Sequence, residues 1–120
     1  MDGKNRTVLH NTTLMRPSAL TLDYQSQVLY WTDAFLDKIE SSNVDGSNRM
    51  LLSTVGIDHP YGIALFSNTL YFTDWSGPSV KAIDINGGNT TAIRFFGGVL
   101  CTKLFGIAVV SEHKQLIGMY

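Results

Sequence analysis

The chain has 120 residues, 44% of them hydrophobic, and a formal net charge of −1 at pH 7. That is an ordinary globular composition with enough apolar residues for one domain, so a disordered chain is excluded. The nine Lys and Arg residues are scattered from Lys4 to Lys114 and form no stripe, which excludes a nucleic-acid footprint and a basic amphipathic membrane segment.

In chain order, "DGKNR" (Asp2 to Arg6) comes first and returns as "NVDGSNR" (Asn43 to Arg49) and "DINGGNT" (Asp84 to Thr90). The first unit reads as strands at about 19–23, 28–32, 38–43 and 49–53, because short apolar or alternating runs rich in Val, Ile, Leu, Tyr and Thr are separated by turn residues. Gln25-Ser26 and Asp45-Gly46 are its expected tight turns. In the second unit the expected strands fall at about 62–66, 70–73, 80–85 and 90–95, joined by Ser67-Asn68 and Asn86-Gly87-Gly88. No stretch of useful length has helical periodicity. The units match each other: "LYWTDAF" (Leu29 to Phe35) answers to "LYFTDWS" (Leu70 to Ser76), with Asp33 and Asp74 41 residues apart. Pro17-Ser-Ala-Leu-Thr-Leu22 answers to Pro60-Tyr-Gly-Ile-Ala-Leu65 at 43 residues. A last partial copy, "LFGIAVV" (Leu104 to Val110), carries Leu104 at the place of the proline and "LIGMY" (Leu116 to Tyr120) at the place of the aromatic-Thr-Asp phrase.

Four antiparallel strands repeating at a period in the forties describe a propeller blade. A sandwich also has many short strands, but it does not need equivalent residues at fixed spacing. The runs from Pro17 to Leu52 and from His59 to Ile93 carry the proline, the Tyr-Trp/Phe-Thr-Asp centre and the Asp/Asn-Gly turn in order. They resemble the YWTD, or class B, repeats of the low-density-lipoprotein-receptor family. That resemblance implies an all-β fold, a partial six-bladed YWTD β-propeller with two full four-stranded blades and flanking partial blades. The expected division is 1–14 as the end of a preceding blade, 15–56 and 57–99 as full blades, and 100–120 as the start of a divergent third. Six blades need on the order of 250 residues, so the chain is expected to be part of a longer one.

The resemblance implies a non-catalytic extracellular binding or structural module of an endocytic or signalling receptor, on the outer side of the plasma membrane or secreted. Its partners would be a protein ligand or the adjacent EGF-like and ligand-binding modules. No signal peptide or membrane-spanning run is present in the sequence, so direct membrane insertion is not expected. Open propeller edges are expected to permit self-association. The alternative is a fragment of a calcium-dependent six-bladed hydrolase or lactonase, which needs an acidic or amide cluster in a central channel. Only the repeat-equivalent aspartates offer one, and no cofactor or metal is expected.

Asp33 and Asp74, with Thr32 and Thr73, are expected to accept backbone N–H bonds and tie blade to blade, since general acid-base work requires carboxylates that converge on one point. Tyr30, Trp31, Tyr71 and Phe72 are packing residues whose neighbours point to opposite faces. Trp75 follows the motif on a loop and is either a half-buried anchor or a partner contact. In the family, aromatics beside the motif and acidic residues receive lysine-bearing ligand segments; carried over, this points to Trp75 with Asp37 and Asp58. His10, His59 and His113 lack ligand spacing; His59 is either a pH sensor or a plain loop residue. Asn5, Asn11 and Asn89 begin Asn-x-Thr triplets that fit glycosylation acceptors. Cys101, the single cysteine, is either a buried small apolar residue or half of a bridge to another chain.

Overall fold

A computed structural model describes residues 3–4, 6–75, 79–86, 90–95 and 107. Apart from residue 107, the expected third-blade start lies outside them, as do Cys101 and His113. Eight strands follow one another: β1 (Pro17–Asp23), β2 (Val28–Asp33), β3 (Lys38–Asn43), β4 (Met50–Ser53), β5 (Pro60–Phe66), β6 (Thr69–Asp74), β7 (Ser79–Asp84) and β8 (Thr91–Phe95). They form two four-stranded antiparallel meanders, β1-β2-β3-β4 and β5-β6-β7-β8. The fold is all-β, and among the described residues no helix is long and apolar enough to cross a membrane.

The hairpins follow from local chemistry. Ser67 and Asn68 both have positive φ (49° and 62°), the backbone of a two-residue type I′ turn that suits the twist of β5 and β6. In the β1–β2 turn, Asp23 accepts the Ser26 hydroxyl, which chiefly holds its carboxyl below the ordinary range, and also the N–H of Gln25 at 3.0 Å. Strands β1 and β5 begin earlier than the alternation implies, at the prolines themselves. Pro17 pairs with Asp33 and Pro60 with Asp74, and a register shift separates each proline from the regular ladder. Proline brings no N–H to a ladder and a bulge breaks the two-residue period, so both features hide a strand start from sequence patterning.

Between the sheets lies the core. Tyr30, Ile39, Ile57, Ile63, Leu70, Phe72 and Ile83 form one buried cluster, with Phe72 and Leu70 fully enclosed. Alternation sends Tyr30 into this joint and Trp31 to the other face of the first sheet. In the second sheet Phe72, at the position of Trp31, turns back toward the first. Each sheet therefore has a leading face, bearing the second aromatic of the motif, and a trailing face, bearing the first. Full burial of a side chain such as Phe72 contributes about 1.5–3 kcal/mol.

The motif polar groups hold the chain segments around this joint. Asp33 is fully buried. Its Oδ2 accepts the Met15 N–H at 2.8 Å, and its Oδ1 accepts those of Arg16, Phe35 and Leu36 at 3.0–3.1 Å. Asp74 Oδ2 accepts the Asp58 N–H at 2.9 Å and pairs with Lys81 Nζ at 3.1 Å. The aspartates thus fasten the segment that leads into their own sheet. One strand-to-strand link between the sheets comes from threonine: Thr32 Oγ1 donates to the Tyr61 carbonyl at 2.7 Å. Thr73 Oγ1 accepts the Gly62 N–H at 3.0 Å, across the bulge of its own sheet.

Residues 5–17 align without a gap on residues 48–60 at a spacing of 43. Gly56 has φ +70°, and its carbonyl accepts Lys81 Nζ at 2.9 Å. Thr13, the aligned residue, has φ 55°, and its carbonyl accepts Lys38 Nζ at 2.9 Å and Arg49 Nη2 at 3.3 Å. A β-branched residue is strained in this left-handed region, whereas glycine is not. Behind the grip, Glu40 accepts Arg49 Nε at 3.0 Å and Nη2 at 2.8 Å, and pairs with Lys38 at 3.1 Å. Burial pushes the Glu40 carboxyl up, but these two cations outweigh it and hold it below the usual range.

Two outcomes follow. Thr13→Gly should stabilise the fold by about 0.5–1 kcal/mol, read as a higher urea midpoint at unchanged m-value, because relief of strain exceeds the added unfolded-state entropy. Asp33→Ala should lower stability by about 1–3 kcal/mol by leaving buried N–H groups without an acceptor. For the acid response, desolvation raises the Asp33 carboxyl, and the four N–H donors outweigh it and hold it below its ordinary value. Its contribution is therefore present above about pH 4 and is lost as pH falls through the lowered native value. Melting temperature followed below about pH 4 should fall more steeply for the wild type than for Asp33→Asn.

Candidate ligand-contact site

In a meander the connections leaving even-numbered strands share one end of the sheet. The β2–β3 turn, the β4–β5 linker and the residue after β6 therefore meet at the same end of the two-sheet unit. The residues they carry there include Asp37, Asp58, His59 and Trp75. Asp37 (φ 52°) and His59 (φ 57°) are both left-handed, a conformation more common for Asp and His than for most non-glycine residues. The His59 N–H donates to Asp37 Oδ1 at 2.8 Å, so the turn of the first sheet holds the linker into the second. The imidazole Nδ1 lies 2.8 Å from Asp58 Oδ1 and 3.3 Å from Asp37 Oδ1. All three side chains are substantially exposed, from 40% to 55%.

Trp75 closes the other side. Its N–H donates to the His59 carbonyl at 3.3 Å, and its half-buried ring stacks on Tyr61 with centroids 3.8 Å apart and an interplanar angle of 17°. The Arg16 guanidinium stands 5.5 Å from the centre of the Tyr61 ring. The structure thus brings together Asp37, Asp58 and Trp75 around His59, although 21 residues separate the two aspartates in sequence. Tyr61 and Arg16 were not singled out from sequence. The signal that could have found them is the repeat itself: Tyr61 directly follows a leading proline, and Arg16 occupies the position of His59 one unit earlier.

Chemically, the patch offers two carboxylates to a cation and a stacked aromatic pair to an apolar or cationic group. Asp37, Asp58 and His59 also offer ligand atoms within 4.8 Å of one another. Hydrogen bonds inside the group already use the imidazole Nδ1 and Asp37 Oδ1, and nothing beyond proximity speaks for a metal ion. The other motif residues lie elsewhere. Asp33 and Asp74 are fully buried at the ends of β2 and β6, while Trp31 is stacked by His10 at 5.2 Å on the leading face of the first sheet. His10 Nε2 is also hydrogen-bonded to Ser42 Oγ at 2.9 Å. Asn11 is exposed, whereas Asn5 and Asn89 lie outside the described residues.

Comparison with known proteins bears on this architecture. The family Low-density lipoprotein receptor repeat class B matches residues 27–67. The vitellogenin receptor of Solenopsis invicta is 37% identical over 81 residues, 68% of this chain and 4% of the receptor. Low-density lipoprotein receptor-related protein 5 of Homo sapiens is 39% identical over 95 residues, 78% of this chain and 6% of that protein. The chain therefore spans only a small part of these relatives. Among solved structures, one described as a nidogen/laminin complex superposes with a TM-score of 0.72 at 29% identity, over 79% of this chain and 38% of that one. The repeated motif, the paired meanders and these matches together show that the chain belongs to the low-density lipoprotein receptor class B repeat family and that its two sheets are blades of a YWTD β-propeller.

Proposed function

We propose that this chain is a non-catalytic, extracellular protein-binding part of a larger receptor, and that it contacts a basic ligand segment through Asp37, Asp58 and Trp75. The observation that carries the reading is the convergence of those three residues on His59 at one propeller end. Receptor relatives support the class. The commitment of Asp33 and Asp74 to backbone donors supports a structural, non-catalytic use of the acidic motif residues. We assign residues 15–56 and 57–99 to the two blades, with 1–14 closing a preceding one and 100–120 opening the next. Partners would then be a protein ligand or neighbouring modules of the same receptor, and exposed Asn11 would be an acceptor for an N-linked glycan.

The probe for the ligand site is Nα-acetyl-lysine methylamide, titrated by heteronuclear NMR against its Nε-acetylated, uncharged counterpart. The charged probe should shift signals of Asp37, Asp58, His59 and Trp75 with weak affinity, and the shifts should fade as salt is raised. Asp37→Asn with Asp58→Asn should abolish them. Trp75→Ala should weaken binding about twofold to fivefold, the range of an exposed cation–π contact. Equal shifts from the uncharged probe, or none at these residues, would reject the assignment.

A further inference from the structure

The end of the two-sheet unit that carries Asp37, Asp58 and Trp75 also carries two large apolar side chains in the open. Phe35, in the β2–β3 turn, is 63% exposed, and Met15, in the segment leading into β1, is 62% exposed. Scattered exposed hydrophobes are ordinary on a protein surface; adjoining ones rimmed by polar residues mark contact sites. Asp33 makes these two neighbours. Its Oδ1 accepts the Phe35 N–H at 3.1 Å and its Oδ2 the Met15 N–H at 2.8 Å, so segments 20 residues apart in sequence are fixed side by side. Both residues lie in connections at the sheet end, outside the strand faces through which blade packs on blade. The turn that holds Phe35 already has its neighbour in place, because Asp37 accepts the His59 N–H of the linker into the second sheet. Met15 occupies the position of Asp58 one unit later, and Asp58, with the turn of the preceding sheet beside it, keeps 55% of its side chain exposed.

We propose that the ligand segment carries an apolar side chain two positions from its lysine, the lysine meeting Asp37 and Asp58 and the apolar group resting on Phe35 and Met15. This rests on the lysine contact proposed above and adds the side chain that accompanies it. An exposed ion pair contributes little by itself, so an apolar anchor is what raises such a contact to useful affinity. The spacing follows from the turn. Asp37 is two residues beyond Phe35, and two residues of chain span at most about 7 Å. In an extended ligand the side chains at i and i+2 share a face at about 6.6–6.8 Å, so one short segment reaches both. Charge decides which group goes where. Asp37 and Asp58 present carboxylates to the cation, whereas Arg16 places a positive charge 5.5 Å from the Tyr61 ring and so directs the lysine to the carboxylates.

Two peptides test this by heteronuclear NMR titration, with circular-dichroism melts to establish that each variant is folded. Ac-Leu-Ala-Lys-Ala-Leu-NHMe offers the apolar group in either chain direction, and Ac-Ala-Ala-Lys-Ala-Ala-NHMe omits it; each is also made with the lysine Nε-acetylated. The leucine peptide should bind about tenfold tighter and should shift signals of Phe35 and Met15 that the alanine peptide leaves in place. Phe35→Ser, which brings to this position the residue type of Ser76 one unit later, should remove most of the gain. Met15→Ala should reduce it, and serves alone if Phe35→Ser does not fold. Equal affinity of the two peptides, both shifting Asp37, Asp58 and Trp75, overturns this inference and leaves the lysine contact standing. Shifts at none of those three residues from either peptide overturn both. A gain that survives in the folded variants, or a leucine peptide that binds as tightly once its lysine is acetylated, overturns the pairing of the two groups.

Discussion

A carboxylate at the end of the second strand of each sheet gathers the N–H groups of the segment leading into the first strand. Asp33 does this for Met15 and Arg16, and Asp74 for Asp58. That segment lies ahead of the regular ladder, from which a bulge separates it, so its N–H groups take the carboxylate as their acceptor. The buried Asp33 carboxylate is held in its charged form by four N–H bonds, while buried Asp74 accepts the Asp58 N–H and the Lys81 ammonium. With the linker held, β1 and β5 start at defined points. The alternation that follows then determines which aromatic enters the joint.

The two blades meet similar requirements with different side chains. A linker carbonyl at a left-handed residue is gripped by a cation in both, but Lys81 acts with Asp74, while Lys38 and Arg49 act together around Glu40. Position for position, Glu40 and Lys81 exchange sign. The geometry of the linker is common to the two blades, and the charge pattern that secures it is not. Such swaps are permitted because the grip needs only a donor near the carbonyl, whereas the apolar joint needs shape.

The ligand-contact patch depends on topology more than on any local motif. A meander delivers every second connection to one end, so residues far apart in sequence become neighbours without any signal in their own surroundings. Asp37 and His59 also sit in left-handed backbone, where the N–H of one can meet the carboxylate of the other. Trp75 is half-buried against Tyr61 and still partly open to solvent, so its anchoring role and its availability to a partner are compatible.

From the sequence alone, the strands, the hairpin turns and the blade repeat were legible, because a two-residue period and spacings of 41 and 43 residues are local or directly countable. The opposite facing of Tyr30 and Trp31 followed from the same period. Tertiary structure alone decided that the aspartates fasten the segment leading into their own blade, that Thr32 bridges the two sheets, and that Arg16 and Tyr61 join Trp75. The reason is physical. Periodicity encodes which face a side chain occupies, but a hydrogen bond between segments depends on where bulges and left-handed residues steer the backbone, and those leave little trace in the pattern of apolar residues.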